Sequence, residues 1–375
     1  MGLRTGDLPD FPWDTLAPYG KTARQHPDGL IDLSVGCPVD PTPGPVRRAL
    51  ADAADAPGYP TTPGSAELRE AVSSWFARRR GVPGIDPAAV LATVGSKEFV
   101  AWLPSLMGLG EGDVVVHPEV AYPTYDVGAR LAGAMPLPAD DVAAWSARPD
   151  IRLVWLNSPS NPTGAVLGIE HLRAVVAAAR RTGAVVASDE CYALLPWSEP
   201  WAGEGVPSIL DPRVCDGDHD GLLAVHSLSK QGNMAGYRAA FVAGDPVLVS
   251  RLLEIRKHAG MMVPAPIQAA TAIALNDDGH VAEQRAAYGR RRRVLIGALE
   301  AAGLVVEESQ AGLYLWVRAA GAGQDCWQTV GDLAALGILV APGAFYGPSG
   351  VRHVRVSITA DDGAVAAAAM RLTGA

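Results

Sequence analysis

Between about residue 88 and residue 245, short apolar runs alternate with stretches of helical periodicity, and few folds accept that order. Val90-Leu91-Ala92-Thr93-Val94, Asp113-Val114-Val115-Val116, Ile151-Arg152-Leu153-Val154-Trp155-Leu156 and Ala184-Val185-Val186-Ala187-Ser188 read as buried strands. Phe99 to Leu109, Tyr125 to Ala132 and Ile169 to Thr182 read as helices between them. Strands covered on both faces are apolar throughout, and parallel neighbours need a crossover. The order therefore predicts an α/β fold whose mostly parallel sheet is sandwiched by helices. Ligands of such sheets bind beyond the carboxyl ends of the strands. The polar punctuation of this chain falls there.

Gly95-Ser96-Lys97-Glu98 closes the first run and opens a helix, where backbone N–H groups, a hydroxyl and an ammonium suit a phosphate; an ordinary N-cap explains it equally well. Ala121-Tyr122-Pro123-Thr124-Tyr125 puts an aromatic where a flat ring could stack. In Asn157-Ser158-Pro159-Ser160-Asn161-Pro162-Thr163-Gly164, the proline after Asn161 restricts its backbone and aims its amide. Ser188-Asp189-Glu190-Cys191-Tyr192 ends a strand in two carboxylates and a phenol, and a buried carboxylate demands a cationic partner. Lys230, in Ser227-Leu228-Ser229-Lys230, follows the apolar run 221–225 and precedes Arg238. Partial desolvation at a strand end lowers a lysine's pKa and makes its amine nucleophilic. Ser-x-x-Lys also opens β-lactamase-like sites, but no Ser-Asp-Asn or Lys-Thr-Gly accompanies it.

The flanks read differently. The first forty-odd residues, rich in Pro, Gly and Asp, predict an extended arm with one strand-like run from Ile31 to Val35. Gly58-Tyr59-Pro60 begins a turn-rich loop before a helix capped by Ser65, with Leu68, Val72, Trp75 and Phe76 on its apolar face. Beyond residue 245, helices over 245–259 and 281–302 lead to a C-terminal lobe with strands over 312–317, 338–341 and 353–358. Trp316, Trp327 and Phe345 are assigned to its core. The 375 residues leave room for two domains: an arm and part of a small domain over 1–44, a large domain over 45–278, and a small α+β domain over 279–375.

Net charge −9 gives no electrostatic case for nucleic acid or an anionic membrane. Arg290-Arg291-Arg292-Arg293 reads as a solvated helix face. Cys37, Cys191, Cys215 and Cys326 lack CxxC spacing, which argues against a zinc knuckle or a disulfide framework. Asp216, Asp218, Asp220 and Gly221 match the opening of a calcium loop, but Ser227 stands where its last carboxylate belongs, so no metal is expected. No Walker sequence or strand-linked G-x-G-x-x-G is present. Met1 to Asp7 carry no apolar signal core, and a cytoplasmic enzyme is the expectation.

Taken together, the ordered strand ends resemble the fold-type-I, class I and II aminotransferases that use pyridoxal 5'-phosphate. Ser160-Asn161-Pro162-Thr163-Gly164 and Ser227-Leu228-Ser229-Lys230 with Arg238 carry the resemblance, which runs over nearly the whole chain. It implies that Lys230 forms the cofactor Schiff base and shuttles the substrate proton in a ping-pong cycle. It implies Asp189 at the ring nitrogen, Asn161 and Tyr192 at the ring oxygen, and Tyr122 stacked on the ring. Ser96, Lys97, Ser227, Ser229 and Arg238 would bind the phosphate. Arg355, preferred over Arg352, and Gly36 would receive the substrate carboxylate, with Asn161 beside them. Tyr59 would reach the partner's phosphate in a homodimer with shared sites.

Several stretches, among them Phe11-Pro12-Trp13-Asp14-Thr15-Leu16 and Arg256-Lys257-His258-Ala259-Gly260-Met261-Met262, resemble the succinyldiaminopimelate aminotransferases of bacterial lysine and peptidoglycan-precursor synthesis. That implies glutamate as donor and N-succinyl-2-amino-6-oxopimelate as acceptor. Lys21, Arg24, Lys257 and His258 are candidates for the acceptor's far anion. Transamination of aspartate, alanine or an aromatic amino acid, a lyase on the same fold, and a non-catalytic binding module remain as alternatives.

Overall fold

The structure, a computed structural model, describes residues 8, 9, 11–321 and 323–374. Met1 to Asp7, on which the signal-segment reading rests, lie outside the described residues. Ile31–Asp32 forms β1. The central sheet is built from β2 (Val90–Val94), β3 (Val114–His117), β4 (Met135–Pro138), β5 (Ile151–Asn157), β6 (Val185–Asp189), β7 (Leu222–Ser227) and β8 (Ala239–Gly244). Its order is β2-β8-β7-β6-β5-β3-β4. Only β8 runs antiparallel to its neighbours. The expected α/β sandwich is thus present.

The alternation of side chains along β5 shows why the sheet is covered twice. Val154 and Leu156 join the core formed with Trp75 and Phe76, while Leu153 and Trp155 join the opposite core with Phe99, Val100 and Tyr125. Trp75 and Phe76 belong to the helix Ala66–Arg80, where Ser65 Oγ accepts from Leu68 N at 3.2 Å as a side-chain cap. The helices between strands run Ser96–Leu106, Thr124–Leu131 and Ile169–Thr182. Sequence reasoning missed β4, whose two prolines and exposed residues read as loop. It is an edge strand, where proline is tolerated.

A second sheet packs the C-terminal segment: β9 (Leu304–Glu307), β10 (Tyr314–Ala319), β12 (Ala341–Pro342) and β13 (His353–Ser357) pair antiparallel in the order β12-β13-β10-β9. β1 pairs in parallel with β11 (Ile338–Leu339). The next residues then run along β13, where Ser357 N donates to Leu33 O at 2.8 Å. The arm is not extended as expected. Pro12–Leu16 forms a 3-10 turn that continues into the helix Ala17–Ala23, which buries Leu16 and Ala23 and stacks Tyr19 on Trp327 at 5.5 Å. The arginine run also departs from expectation. Arg291 is buried and bonds Asp40 at 2.6 and 2.7 Å and Asp362 at 2.6 Å, tying three distant segments together.

Behind the end of β6 lies a buried ionic cluster. Arg80 Nη2 donates to Glu190 Oε2 at 2.8 Å, and Ser208 Oγ and Ile209 N donate to Oε1 at 3.0 and 2.8 Å. His226 Nε2 lies 3.4 Å from Oε2, its ring packed edge-on against Trp75. Burial is the largest influence on Glu190 and favours its neutral form. The Arg80 charge, aided by His226, outweighs burial and holds the carboxyl at about 2. Burial likewise depresses His226 to about 4, against the pull of Glu190. Both folded values lie below the ordinary ones of 4.5 and 6.5, so the unfolded chain binds more protons on acidification. Stability from His226 is full above pH 6.5 and is lost toward pH 4; that from Glu190 is full above 4.5 and is lost toward pH 2. In denaturant titrations at a series of pH values, wild type is expected to weaken as soon as the pH passes below 6.5. The His226→Gln variant should weaken less over that range, the remainder coming from His117 and His280, which burial also lowers.

Candidate active site

The carboxyl ends of β5, β6 and β7, the start of the helix Ser96–Leu106, and Arg355 of β13 converge on one cavity of about 450 Å³. Its wall contains Gly36, Ser96, Lys97, Tyr122, Asn161, Asp189, Tyr192, Ser227, Ser229, Lys230, Arg238 and Arg355. These are all the site residues expected from the sequence except Tyr59.

At the floor, Asp189 ends β6 with its side chain buried. Tyr125 Oη donates to Oδ2 at 3.1 Å and Cys191 N donates to Oδ1 at 3.2 Å. Burial raises its pKa despite these donors, and the charge of Glu190 adds to the rise. Such a carboxylate is poised for a cationic N–H, whose charge offsets the burial. Asn157 holds the neighbouring strand end in register: its Nδ2 donates to Asp189 O at 3.0 Å and its Oδ1 accepts from Asn161 N at 2.7 Å.

One end of the cavity is built for an anion. Gly95 takes a positive φ of 77° before the helix, and a Cβ there would strike the guanidinium of Arg238. The first-turn N–H groups of the helix therefore lie beside a cation. Ser227 Oγ donates to Ser229 Oγ at 2.8 Å, grouping two hydroxyls at the end of β7. Glu98 fixes the helix start by binding the buried Arg256 at 2.7 Å.

The other end is formed around a guanidinium. Arg355 is buried, with Nη1 donating to Asn161 Oδ1 at 2.9 Å and Nη2 to Ser34 O at 2.6 Å. Its guanidinium lies over Tyr314 at 3.9 Å and Tyr346 at 5.0 Å, and its Nε has no hydrogen-bond partner among the described residues. Lys230 is half-buried between the two ends, and its Nζ donates to Gly36 O. A Cβ on Gly36 would run into the Tyr314 ring, which is why no side chain fits there. The rings of Tyr192 and Tyr314 meet edge to face at 5.8 Å. Burial and Tyr314 raise Tyr192, while the charges of Arg355 and Lys230 overcome burial at Tyr314 and lower it.

One expectation is corrected, and two further expected residues are placed by the structure. Lys21, Arg24, Lys257 and His258 are exposed and none lines the cavity; Lys257 bonds Glu254 at 2.7 Å instead. Lys97, expected at the phosphate end, points its Nζ toward the rings of Tyr122 and Phe11, at 5.6 and 5.9 Å. Tyr59 is 96 % exposed and lies by a surface hollow with Ala265 and Ile273, away from the cavity of its own chain. Sequence reasoning also passed over Tyr125, Tyr314, Phe11 and Trp13 as lining residues. Tyr125 and Tyr314 read as core because they are core on one side, and no spacing marks the edge that meets the cavity.

A buried carboxylate for a protonated ring nitrogen, a hydroxyl-rich cationic end for a phosphate and an amine between them fit pyridoxal phosphate. Residues 28–372 match the family model of aminotransferase class I and II. The 4-dedimethylamino-4-oxo-anhydrotetracycline transaminase OxyQ of Streptomyces rimosus is 56 % identical over 98 % of this chain and 99 % of its own. The probable aminotransferase Rv1178 of Mycobacterium tuberculosis is 56 % identical over 98 % of this chain and 86 % of its own. Among solved structures, a probable N-succinyldiaminopimelate aminotransferase from Thermus thermophilus superposes with a TM-score of 0.86 at 28 % identity, covering 97 % of this chain and all of that one. Sheet order, cavity and family match agree: the chain belongs to the class I and II aminotransferases, enzymes of fold type I that work with pyridoxal phosphate.

Proposed function

We propose that this aminotransferase carries the amino group of glutamate to N-succinyl-2-amino-6-oxopimelate. The observation that supports the reading is the placing of two cations in one cavity: Arg355, buried and fixed, and Lys97, exposed on a flexible stem among aromatic rings. A fixed cation suits the carboxylate that every amino acid shares, and a swinging one suits far anions at two distances. The likeness to the probable N-succinyldiaminopimelate aminotransferase of Thermus supports this acceptor. A second reading draws on the Streptomyces relative, named for a polycyclic oxo compound, and on the aromatic wall of Phe11, Trp13 and Tyr122.

The bound cofactor supplies an aldehyde for amine exchange and a ring that draws electrons from the α-carbon. Lys230 would hold that aldehyde and, once its amine is free, would move the proton at the substrate α-carbon. Asp189 keeps the proton on the ring nitrogen, with Tyr125 orienting its carboxylate. Asn161 and Tyr192 would donate toward the ring oxygen, and Tyr122 would cover the ring face. Ser96, Ser227, Ser229 and Arg238 hold the phosphate. Arg355 and the backbone at Gly36 grip the α-carboxylate, and Asn161, bonded to both Asn157 and Arg355, links ring and carboxylate positions. Tyr59 completes the phosphate site of a second copy in a homodimer, a role that its near-complete exposure leaves open to it.

Lys230→Ala is expected to bind cofactor without the borohydride-reducible visible band and to lose turnover by orders of magnitude. Asp189→Asn should lower kcat by roughly 100-fold or more, since it removes a charge aimed at the reacting system; wild-type-like rates would remove that role. Arg355→Ala should cost both substrates about 10- to 100-fold in kcat/KM. Lys97→Ala should penalise the succinylated acceptor more than pyruvate. In a panel with glutamate as donor, a clear preference for pyruvate, oxaloacetate or aromatic oxo acids would end the diaminopimelate reading and leave the aminotransferase intact. Sedimentation should give a dimer, and Tyr59→Phe should weaken cofactor binding about tenfold, the cost of one hydrogen bond to a charged group. A monomer with unaltered cofactor affinity in that variant would exclude the shared site.

A further inference from the structure

Arg355 and Tyr314 lie on the neighbouring strands β13 and β10, whose antiparallel register sets Trp316 opposite Arg355 and Tyr314 opposite Ser357. Residues two apart on a strand share a face, so Tyr314 is diagonal to Arg355 on the same side of the sheet. An aromatic ring and a long side chain can bridge that spacing. They do so here: the guanidinium carbon of Arg355 stands 3.9 Å from the centre of the Tyr314 ring.

The contact adds what the hydrogen bonds of Arg355 lack. Nη1 donates to Asn161 Oδ1 at 2.9 Å and Nη2 to Ser34 O at 2.6 Å. The N–H groups of a guanidinium point within its plane, so these bonds place the group along that plane and resist a tilt only weakly. A ring packed on the face resists the tilt. The Tyr346 ring makes a second, looser contact at 5.0 Å. Tyr314 is itself held fast. Its ring meets Tyr192 edge to face at 5.8 Å, Gly36 packs against it without a side chain, and the residue is only 5 % exposed. Burial opposes ionisation of its phenol, but the charge of Arg355, with that of Lys230 second, overcomes burial and lowers the pKa. The guanidinium and the phenol are therefore linked by charge as well as by packing.

We propose that Tyr314 is a positioning residue for the substrate α-carboxylate: its ring face holds the guanidinium of Arg355 in the plane that meets a carboxylate with two parallel N–H groups. The inference rests on the reading of Arg355 as the α-carboxylate cation and adds what keeps that cation aligned. A bidentate pair forms only when guanidinium and carboxylate share a plane. A guanidinium free to tilt makes one of the two bonds at a time. A desolvated contact between a cation and an aromatic face corresponds to about tenfold in affinity. Every substrate with an α-carboxylate draws on it, whatever its far end.

The test uses two small oxyamines that condense with the aldehyde of the bound cofactor, aminooxyacetate with a carboxylate and methoxyamine without one. Their rates are read from the change in the visible cofactor band of each holoenzyme, with melting temperatures alongside. In Tyr314→Leu the rate ratio of aminooxyacetate to methoxyamine should fall about tenfold, and half-saturating glutamate should rise about tenfold with the limiting rate within about threefold. Tyr314→Met fills the space without a flat face and serves if Tyr314→Leu is too unstable to assay. Tyr314→Phe keeps the ring face and should recover most of the loss. In an Arg355→Ala background, Tyr314→Leu or Tyr314→Met should cost less than about twofold more, because the group it aligns is gone. Equal losses for the two oxyamines, additive losses with Arg355→Ala, or a Tyr314→Phe variant as impaired as the non-aromatic ones overturn the positioning role and leave the Arg355 reading standing. An Arg355→Ala enzyme that discriminates the two oxyamines as wild type does removes the Arg355 reading, and the role of Tyr314 with it.

Discussion

Asp189 is a carboxylate held where burial opposes its charge, and much of the molecule exists to keep it there. A parallel sheet provides the place, because its central strand ends are covered on both faces and open only at their carboxyl termini. The donors that reach Asp189, Tyr125 Oη and Cys191 N, orient the group without lowering its pKa to the ordinary value. What remains unmet is a positive partner, a place that the protonated ring nitrogen of pyridoxal phosphate would fit.

The adjacent carboxylate shows the opposite solution to the same cost. Glu190 turns to the core side, where Arg80 compensates it with its guanidinium and three further groups approach it. One side chain of the dipeptide is satisfied within the fold and the next is left for a ligand. A buried pair adds little net stability, but removal of one partner strands the other. The cluster therefore pins the end of β6, and with it the direction in which Asp189 faces.

How much of this was legible in the sequence depends on the reach of each contact. The strand runs, the Ser65 cap and the residues at the strand ends follow from local periodicity and turn chemistry, and they place Lys230, Asp189, Asn161 and Arg238 around one cavity. Local pattern failed where a distant partner decides. Four consecutive arginines look solvated until Asp40 and Asp362, each far away in the chain, bury Arg291. The arm looks extended until Trp327 gives Tyr19 a surface. Lys257 and His258 share a helix turn with Arg256, yet only Arg256 turns inward, to Glu98. Lys97 was found by its spacing, but the rings that flank its ammonium come from Phe11 and Tyr122, on other segments, where no local pattern shows them.

The electrostatic layout of the cavity constrains what can fill it. Arg355 and Lys230 both act on Tyr314, strongly enough to lower its pKa against burial, so positive potential gathers at that end. Asp189 concentrates negative potential at the floor, and Arg238 with the helix start makes a second positive end. A simple anion would satisfy one end and leave Asp189 buried and unpaired; a simple cation would do the reverse. Only an assembly that is anionic at both extremes and cationic between them answers every charge. Pyridoxal phosphate, the cofactor of this family, would bring an anionic end and a cationic ring, and an amino acid would bring a carboxylate for the other end.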